Sequence, residues 1–391
     1  MKKILITGGA VHSYLDDVKI ITNKFRGKLM CNLVSQFVKY SEENNHVGDD
    51  EQVHVTYLCP KSSQQPWWDE FLGGEDTPYL TCVHHSGIDD YMKKVLALAP
   101  DMDAVVLGAA VANLIPKNKI EGKFPSHNYK PGDTIPIDFT IAPRIIDHVK
   151  KVAPKTLLFG YKLLSGVDYN ELVRAAYGVL LESKAVTVFA NDAMDLMLKY
   201  AVTKERAVHV LHNNDILQWI LDRLEENYYT TVTAKTDEIS DKMRDARECL
   251  NSLLVSQKPS FIEVEEGFIF GAGAIRISNL NSFVTTARGK NELEDYAFVD
   301  TVDHATMRVI CGTTKKASLN APLFHYIFYK RPEVIQILHF HHERHDLATL
   351  DYATPGTDKD SIREEAAKHP SFNIKGHGCI LSYNKIGELI R

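Results

Sequence analysis

Hydrophobic and polar positions divide the chain into two stretches with different rhythms. In the first, short apolar runs alternate with helical patterns. "KKILITGG", "QVHVTYLC", "DAVVLGAAV", "TLLFGYKL" and "AVTVFAND" each hold four or more apolar residues bounded by turn formers, which predicts buried strands. Between them, "GKLMCNLVSQFVKYSEE", "IDDYMKKVLALAP", "IAPRIIDHVKKVAP" and "YNELVRAAYGVLLESKA" carry apolar residues at i, i+3 and i+4, which predicts helices. "ILQWILDRLEENYY" closes the series with another helix. Strand and helix in turn define an α/β fold with a doubly wound, Rossmann-like parallel sheet. Ligands of such sheets bind beyond the strand C-termini. Those ends read Gly8-Gly9, Gly108-Ala109-Ala110, Gly160-Tyr161-Lys162 and Asn191-Asp192.

After "TTVTAKTDEIS" the rhythm changes. An amphipathic helix, "EISDKMRDARECLNSLLV", precedes "FIEVEEGFIFGAGAIRIS", "SFVTTARG", "YAFVDTV" and "ATMRVICGT", which read as antiparallel strands. The helix "LFHYIFYKRPE" leads into a strand, "VIQILHFH". These changes place a domain boundary near residue 232, giving domains 1–232 and 233–391. "SEENNHVGDDEQ" reads as a polar insertion and "SSQQPWWDEFLGGEDTPY" as a long loop.

Composition narrows the function classes. A formal charge of −6 over 391 residues, with no strongly basic block, argues against nucleic-acid binding. No apolar run is long enough for a membrane span, and the N-terminal apolar stretch is too short for a signal peptide. Six scattered cysteines without a CxxC pair fit reduced thiols, so the expected location is cytoplasmic.

Two constellations carry candidate chemistry. In "ITGGAVHSYLDDVKIITNKFRGKL", Gly8-Gly9 follows a strand and permits close backbone approach. Gly27 precedes a helix whose first amides can hold an anion. In "ILHFH", alternation along a strand puts His339 and His341 on one face, while "IKGHGCI" offers His377 between two glycines. Three imidazoles with an open fourth position suit zinc. Alternation and the polar turn that follows the strand direct His342 and His345 away from such a site.

The order of the first set of motifs resembles phosphopantothenate–cysteine ligase over about residues 1–230. It runs from the Gly-Gly turn and "VKIITNKFRGKL" through "VVLGAAVANLIPKNKIEGKF" and "LLFGYKLLSG" to "VFANDA". The resemblance implies amide formation through an acyl-nucleotide, with ATP or CTP and Mg²⁺, in coenzyme A biosynthesis. It implies catalytic roles for Asn23, at the acyl group, and Lys123, at the phosphates. It further implies a nucleotide site built from Gly8, Gly9, Lys19, Gly27, Ala109, Ala110, Asn113, Gly160, Tyr161, Lys162 and Asn191. Departures from the family pattern are Ala10 for threonine, Phe25-Arg26 for a serine pair and Asn113 for aspartate.

From about residue 236, "SLNAPLFHYIFYKRPEVIQILHFHH" with a later "GHG" resembles the class II aldolase/adducin family. That resemblance implies an α/β domain with His339, His341 and His377 as zinc ligands. Asn320 stands where the family aldolases carry glutamate, and an amide cannot act as general base, so aldol cleavage is not expected. Both resemblances imply a homo-oligomer, at least a dimer. Besides a ligase on small-molecule substrates, two readings stay open: a metal-dependent lyase or epimerase with a regulatory nucleotide-binding domain, and a non-catalytic scaffold.

Overall fold

The computed structural model describes residues 1–44, 52–66, 77–204, 208–261, 264–265, 268–277, 282–290, 292, 295–358, 360–385 and 388–389. Most of the expected polar insertion and the centre of the tryptophan-bearing loop lie outside them. The chain forms two compact units: Met1–Lys204 with Val210–Leu224, and 205–209 with Glu225–Arg391.

The first unit carries an eight-stranded sheet. Its strands are β1 (Lys2–Thr7), β2 (Val53–Cys59), β3 (Leu80–His84), β4 (Ala104–Leu107), β5 (Leu157–Leu164), β6 (Thr187–Asp192), β7 (Asp195–Thr203) and β8 (Val208–His212), in the spatial order β8-β7-β6-β5-β4-β1-β2-β3. The pairs from β3 through β6 are parallel. Strand order reverses between β1 and β4, which makes their C-terminal ends the switch point where α/β sheets bind ligands.

The expected strands read as apolar runs because both faces of the sheet are covered. Ile4, Leu5, Ile6, Val105 and Val106 are fully buried. Helix α1 (Lys28–Glu43) buries Met30, Leu33, Val34, Phe37 and Val38, a stripe at helical spacing. Helices α2 (Gly87–Leu98), α3 (Ile146–Val152), α4 (Tyr169–Ser183) and α5 (Ile216–Glu225) follow at the expected places.

Three strands were not expected. "LTCVH" of β3 lacks a continuous apolar run because it is an edge strand, only partly buried. β7 begins with three exposed residues and lies antiparallel on β6, and β8 lies beyond it. One expectation is corrected: Gly160-Tyr161-Lys162 is not a strand end. β5 continues to Leu164, held by β6 through Asp192, while its pairing with β4 stops at Phe159.

The second unit is built on a ten-stranded, mostly antiparallel sheet. Its strands include β9 (Thr230–Thr233), β10 (Ala272–Arg276), β11 (Phe283–Thr286), β12 (Tyr296–Asp303), β13 (Arg308–Cys311), β14 (Gln336–Phe340), β15 (Thr349–Leu350), β16 (Phe372–Ile374) and β17 (Gly378–Lys385). They are ordered β9-β13-β12-β11-β10-β14-β17-β16-β15. Helix α6 (Asp241–Phe261) packs Leu250 and Leu254 against Ile275, Val284, Phe298, Leu338 and Leu381. The expected boundary at residue 232 falls inside β9, which pairs in parallel with β13. β14 ends at Phe340, so His341 stands one residue past the strand.

Candidate functional sites in the two units

The first candidate site lies at the switch point. Gly9 has φ +78° and Gly27 φ +82°, a region that disfavours any side chain. A Cβ on Gly9 would come within 1.7 Å of Ser63 Oγ, and one on Gly27 within 2.7 Å of the Gly9 amide nitrogen. The two turns therefore pack backbone against backbone. Gly27 caps α1, so that helix starts beside the Gly9 turn. Other small residues serve protein packing: a Cβ on Gly8 would meet Tyr57 and Met30, and one on Gly160 would meet Ile146.

Asn23 donates from Nδ2 to the Ala110 carbonyl at 3.0 Å, and the Ala110 amide donates to the Gly9 carbonyl at 2.8 Å. Thr7, fully buried, accepts from the Ala109 amide at 3.3 Å. Gly9, Gly27, Asn23, Ala109 and Ala110 are thus gathered around one crevice. Tyr161 and Asn191 stand further along the sheet: Tyr161 packs on Phe189 at 5.1 Å between centroids with its hydroxyl buried, and Asn191 is buried on β6. Burial pushes the Tyr161 phenol well above its usual range. Lys162 is partly buried on β5, and Asn113 is exposed while its carbonyl accepts from Ala142.

Lys123 is exposed, and its position depends on a residue the motif reading missed. Asp16 is fully buried and accepts from the amides of Phe124 (3.0 Å), Val18 (2.7 Å) and Lys19. It also pairs with the Lys19 ammonium at 3.1 Å. Despite the opposing cost of burial, these bonds hold its carboxyl far below the usual range. Asp17 completes the clasp by accepting from Gly122 and pairing with Lys119 at 2.6 Å. The Lys119–Phe124 segment is therefore zipped to the 15–19 turn. The only sequence signal was the Asp-Asp pair ahead of Lys19.

The second candidate site is the histidine cluster. One ring nitrogen from each of His339, His341 and His377 lies within 4.8 Å of the others, and His339 and His377 are buried. Ring centroids are 4.6–5.0 Å apart. His339 Nδ1 faces the Cys379 carbonyl at 3.1 Å. That bond sets the tautomer: Nδ1–H donates, leaving the Nε2 lone pair free. His339 Nε2 and both His377 nitrogens are buried without a hydrogen-bond partner among the described residues. Burial depresses both imidazoles, His339 to about 4 and His377 well below its usual value, with neighbouring imidazoles adding to the latter.

Orphaned, neutral, converging lone pairs fit a borderline-soft dication. The turn carrying His377 needs its glycines: Gly376 has φ +69° and Gly378 φ +126°, and a Cβ on Gly378 would strike the Phe340 carbonyl. Glu343, not anticipated from sequence, steadies that turn by accepting from the Gly376 amide at 2.6 Å. His342 and His345 are exposed and outside the cluster. Asn320 lines a small cavity with Tyr229, Asp358 and Arg363, and none of the three histidines is in that lining.

The architecture is that of a two-unit α/β protein with a dinucleotide-type sheet in the first unit and a trihistidine cluster in the second. No family model matches the chain. Over 190 residues it is 29% identical to the coenzyme A biosynthesis bifunctional protein CoaBC of Thermococcus kodakarensis, covering 49% of this chain and 41% of that protein. It is 21% identical over 208 residues to the CoaBC protein of Methanocaldococcus jannaschii, covering 52% and 45%. The chain thus spans less than half the length of these relatives. Among solved structures, it is similar to the DNA/pantothenate metabolism flavoprotein from Streptococcus pneumoniae (20% identity, TM-score 0.46, covering 57% of this chain and 99% of that one). It is also similar to YgbL, a candidate aldolase/epimerase/decarboxylase from Klebsiella pneumoniae (14%, TM-score 0.29, covering 37% and 81%). Among the described residues, no helix is long and apolar enough to cross a membrane.

Proposed function

We propose that the first unit is a nucleoside-triphosphate-dependent ligase that joins phosphopantothenate, or a similar carboxylate, to cysteine through an acyl-nucleotide. The observation that carries this reading is the similarity to the two CoaBC proteins. The crevice at Gly9, Gly27, Asn23 and Ala110 supports it. Substrate carboxylate attack on the α-phosphate forms the acyl-nucleotide and releases pyrophosphate. Attack by the cysteine amine then forms the amide and releases the nucleoside monophosphate. Such chemistry rests on positioning and charge stabilisation. Asn23, held by the Ala110 carbonyl, has a second amide hydrogen to offer the acyl oxygen. Lys123, carried on the segment clasped by Asp16 and Asp17, meets the phosphates, and the start of α1 supplies backbone donors. Mg²⁺ accompanies the triphosphate and offsets its charge. Active protein is a homodimer or larger.

The test combines protein, 4′-phosphopantothenate, cysteine and either ATP or CTP. Pyrophosphate and nucleoside monophosphate, released together and only with both substrates present, support the reading. Nucleotide left intact with both triphosphates rejects it.

A second reading concerns the second unit and rests on the orphaned nitrogens of His339 and His377. His339, His341 and His377 would hold one zinc ion in this unit, and such an ion would supply Lewis acidity. With Asn320 in place of a carboxylate, the unit does not cleave sugar phosphates.

A further inference from the structure

Lys290 is an unusual neighbour for a trihistidine cluster. It is 7% exposed, follows the Ala287–Gly289 turn after β11, and donates from Nζ to the Gly271 carbonyl at 2.6 Å. Gly271 immediately precedes Ala272, which stands opposite His339 in the β10–β14 ladder. The lysine head is therefore tethered one residue from the strand partner of a metal-ligand candidate. Phe270, on the other side of Gly271, packs on His341 at 5.3 Å between centroids. His339 is depressed chiefly by burial, and the Lys290 charge adds to that. Burial itself lowers Lys290 to about 8, opposed by Asp295.

Two of the described carboxylates have other partners. Asp295 pairs with Lys315, and Glu343 accepts from the Gly376 amide. Among the described residues, the cluster contributes three imidazoles and no carboxylate. A dication held there would share a low-dielectric region with a buried ammonium. Two like charges in such a region repel, and an anion that joins them relieves the repulsion.

We propose that Lys290 and the metal held by His339, His341 and His377 form a two-cation site selective for an anionic ligand at the open coordination position. The inference rests on the metal reading above. Lys290 acts as a specificity residue: it favours an anion such as a carboxylate over a neutral donor of similar size. Its Nζ has hydrogens to spare beyond the one given to Gly271.

The test uses full-length protein loaded with Co²⁺, whose visible absorption reports ligands entering the open position. Azide serves as the anionic probe and imidazole as the neutral one. Lys290→Met is expected to weaken azide at least tenfold, leave imidazole within twofold, and tighten Co²⁺ itself several-fold in competition with a chelator. Equal weakening of both probes, or no change in either, overturns the proposal. Lys290→Gln is the second variant, judged by the same azide-to-imidazole ratio. If neither variant folds, calorimetry on the wild type decides: azide must bind more tightly than imidazole, and the reverse preference overturns the proposal. Failure of the wild type to bind Co²⁺ at all is a different result, since it removes the metal reading first.

Discussion

In the crevice of the first unit, Asp16, Lys19 and Asn23 are already bonded to the protein, and only a few donors remain for a ligand. In the second unit, His339 and His377 keep buried nitrogens that none of the described residues satisfies. The contrast separates two ways of building a site. In the first unit the residues hold turns in position through bonds within the protein. In the cluster, leaving buried lone pairs unmet costs on the order of 1–3 kcal/mol per group, a cost that coordination of the proposed metal would offset.

The largest effect should come from attacking the cluster. Protein purified without added metal is expected to carry about one zinc per chain, and a His339→Ala/His341→Ala double variant close to none. Elemental analysis checks both, and zinc retained in the double variant would remove the difference between the two sites. In the crevice, Lys123→Ala should lower ligase turnover about a hundredfold, near 3 kcal/mol of transition-state stabilisation, with binding of cysteine little changed. Steady-state kinetics measure this, and wild-type turnover would mean the residue is only a solvated loop lysine. Asn23→Ala should slow product formation and release free acyl-nucleotide, detectable by chromatography.

A smaller effect is expected where the crevice depends on backbone contact. Gly27→Ala forces a side chain into both a left-handed conformation and the Gly9 amide, and should cost about 2 kcal/mol, read as a lowered denaturation midpoint. The smallest effect concerns pH. His85 is buried beside Tyr91, and burial, with His12 adding, lowers it to about 4. A histidine depressed in the folded state contributes stability fully present above its unfolded value of about 6.5. That stability is lost as pH falls toward the folded value. At pH 5.5 the loss should be about 1 kcal/mol. His85→Phe should flatten that part of the acid limb in denaturation series, and an unchanged limb would show that His85 is not its source.

Much of this was legible because burial on both faces writes itself as continuous apolar runs. β1, β2, β4 and β6 were found that way, as was the seven-residue stripe of α1. β3 was missed because an edge strand has no such requirement, and β7 because its first residues are exposed and its antiparallel pairing breaks the strand–helix rhythm. The extent of β5 was misjudged because Gly160 looks like a terminator. In the fold its lack of a side chain makes room for Ile146 while the strand goes on. The histidine spacing held its information well, although His341 lies just past the strand that was expected to carry it. Asp16 and Lys290 were invisible for a simpler reason. A single charged residue shows its burial only when the segments it clasps, far apart in sequence, are seen together.

The bond between His339 and the Cys379 carbonyl has a consequence for the order of events in assembly. Cys379 lies in β17, the neighbour of β14, and both strands are closed by ladder hydrogen bonds that involve no ion. The imidazole is therefore oriented as soon as the sheet forms. Small zinc modules, by contrast, gain their structure only on capture of the ion. The sheet here closes without an ion, so on the zinc reading a chelator should strip the ion from a protein that remains folded, and the emptied cluster should refill at a rate independent of any refolding step.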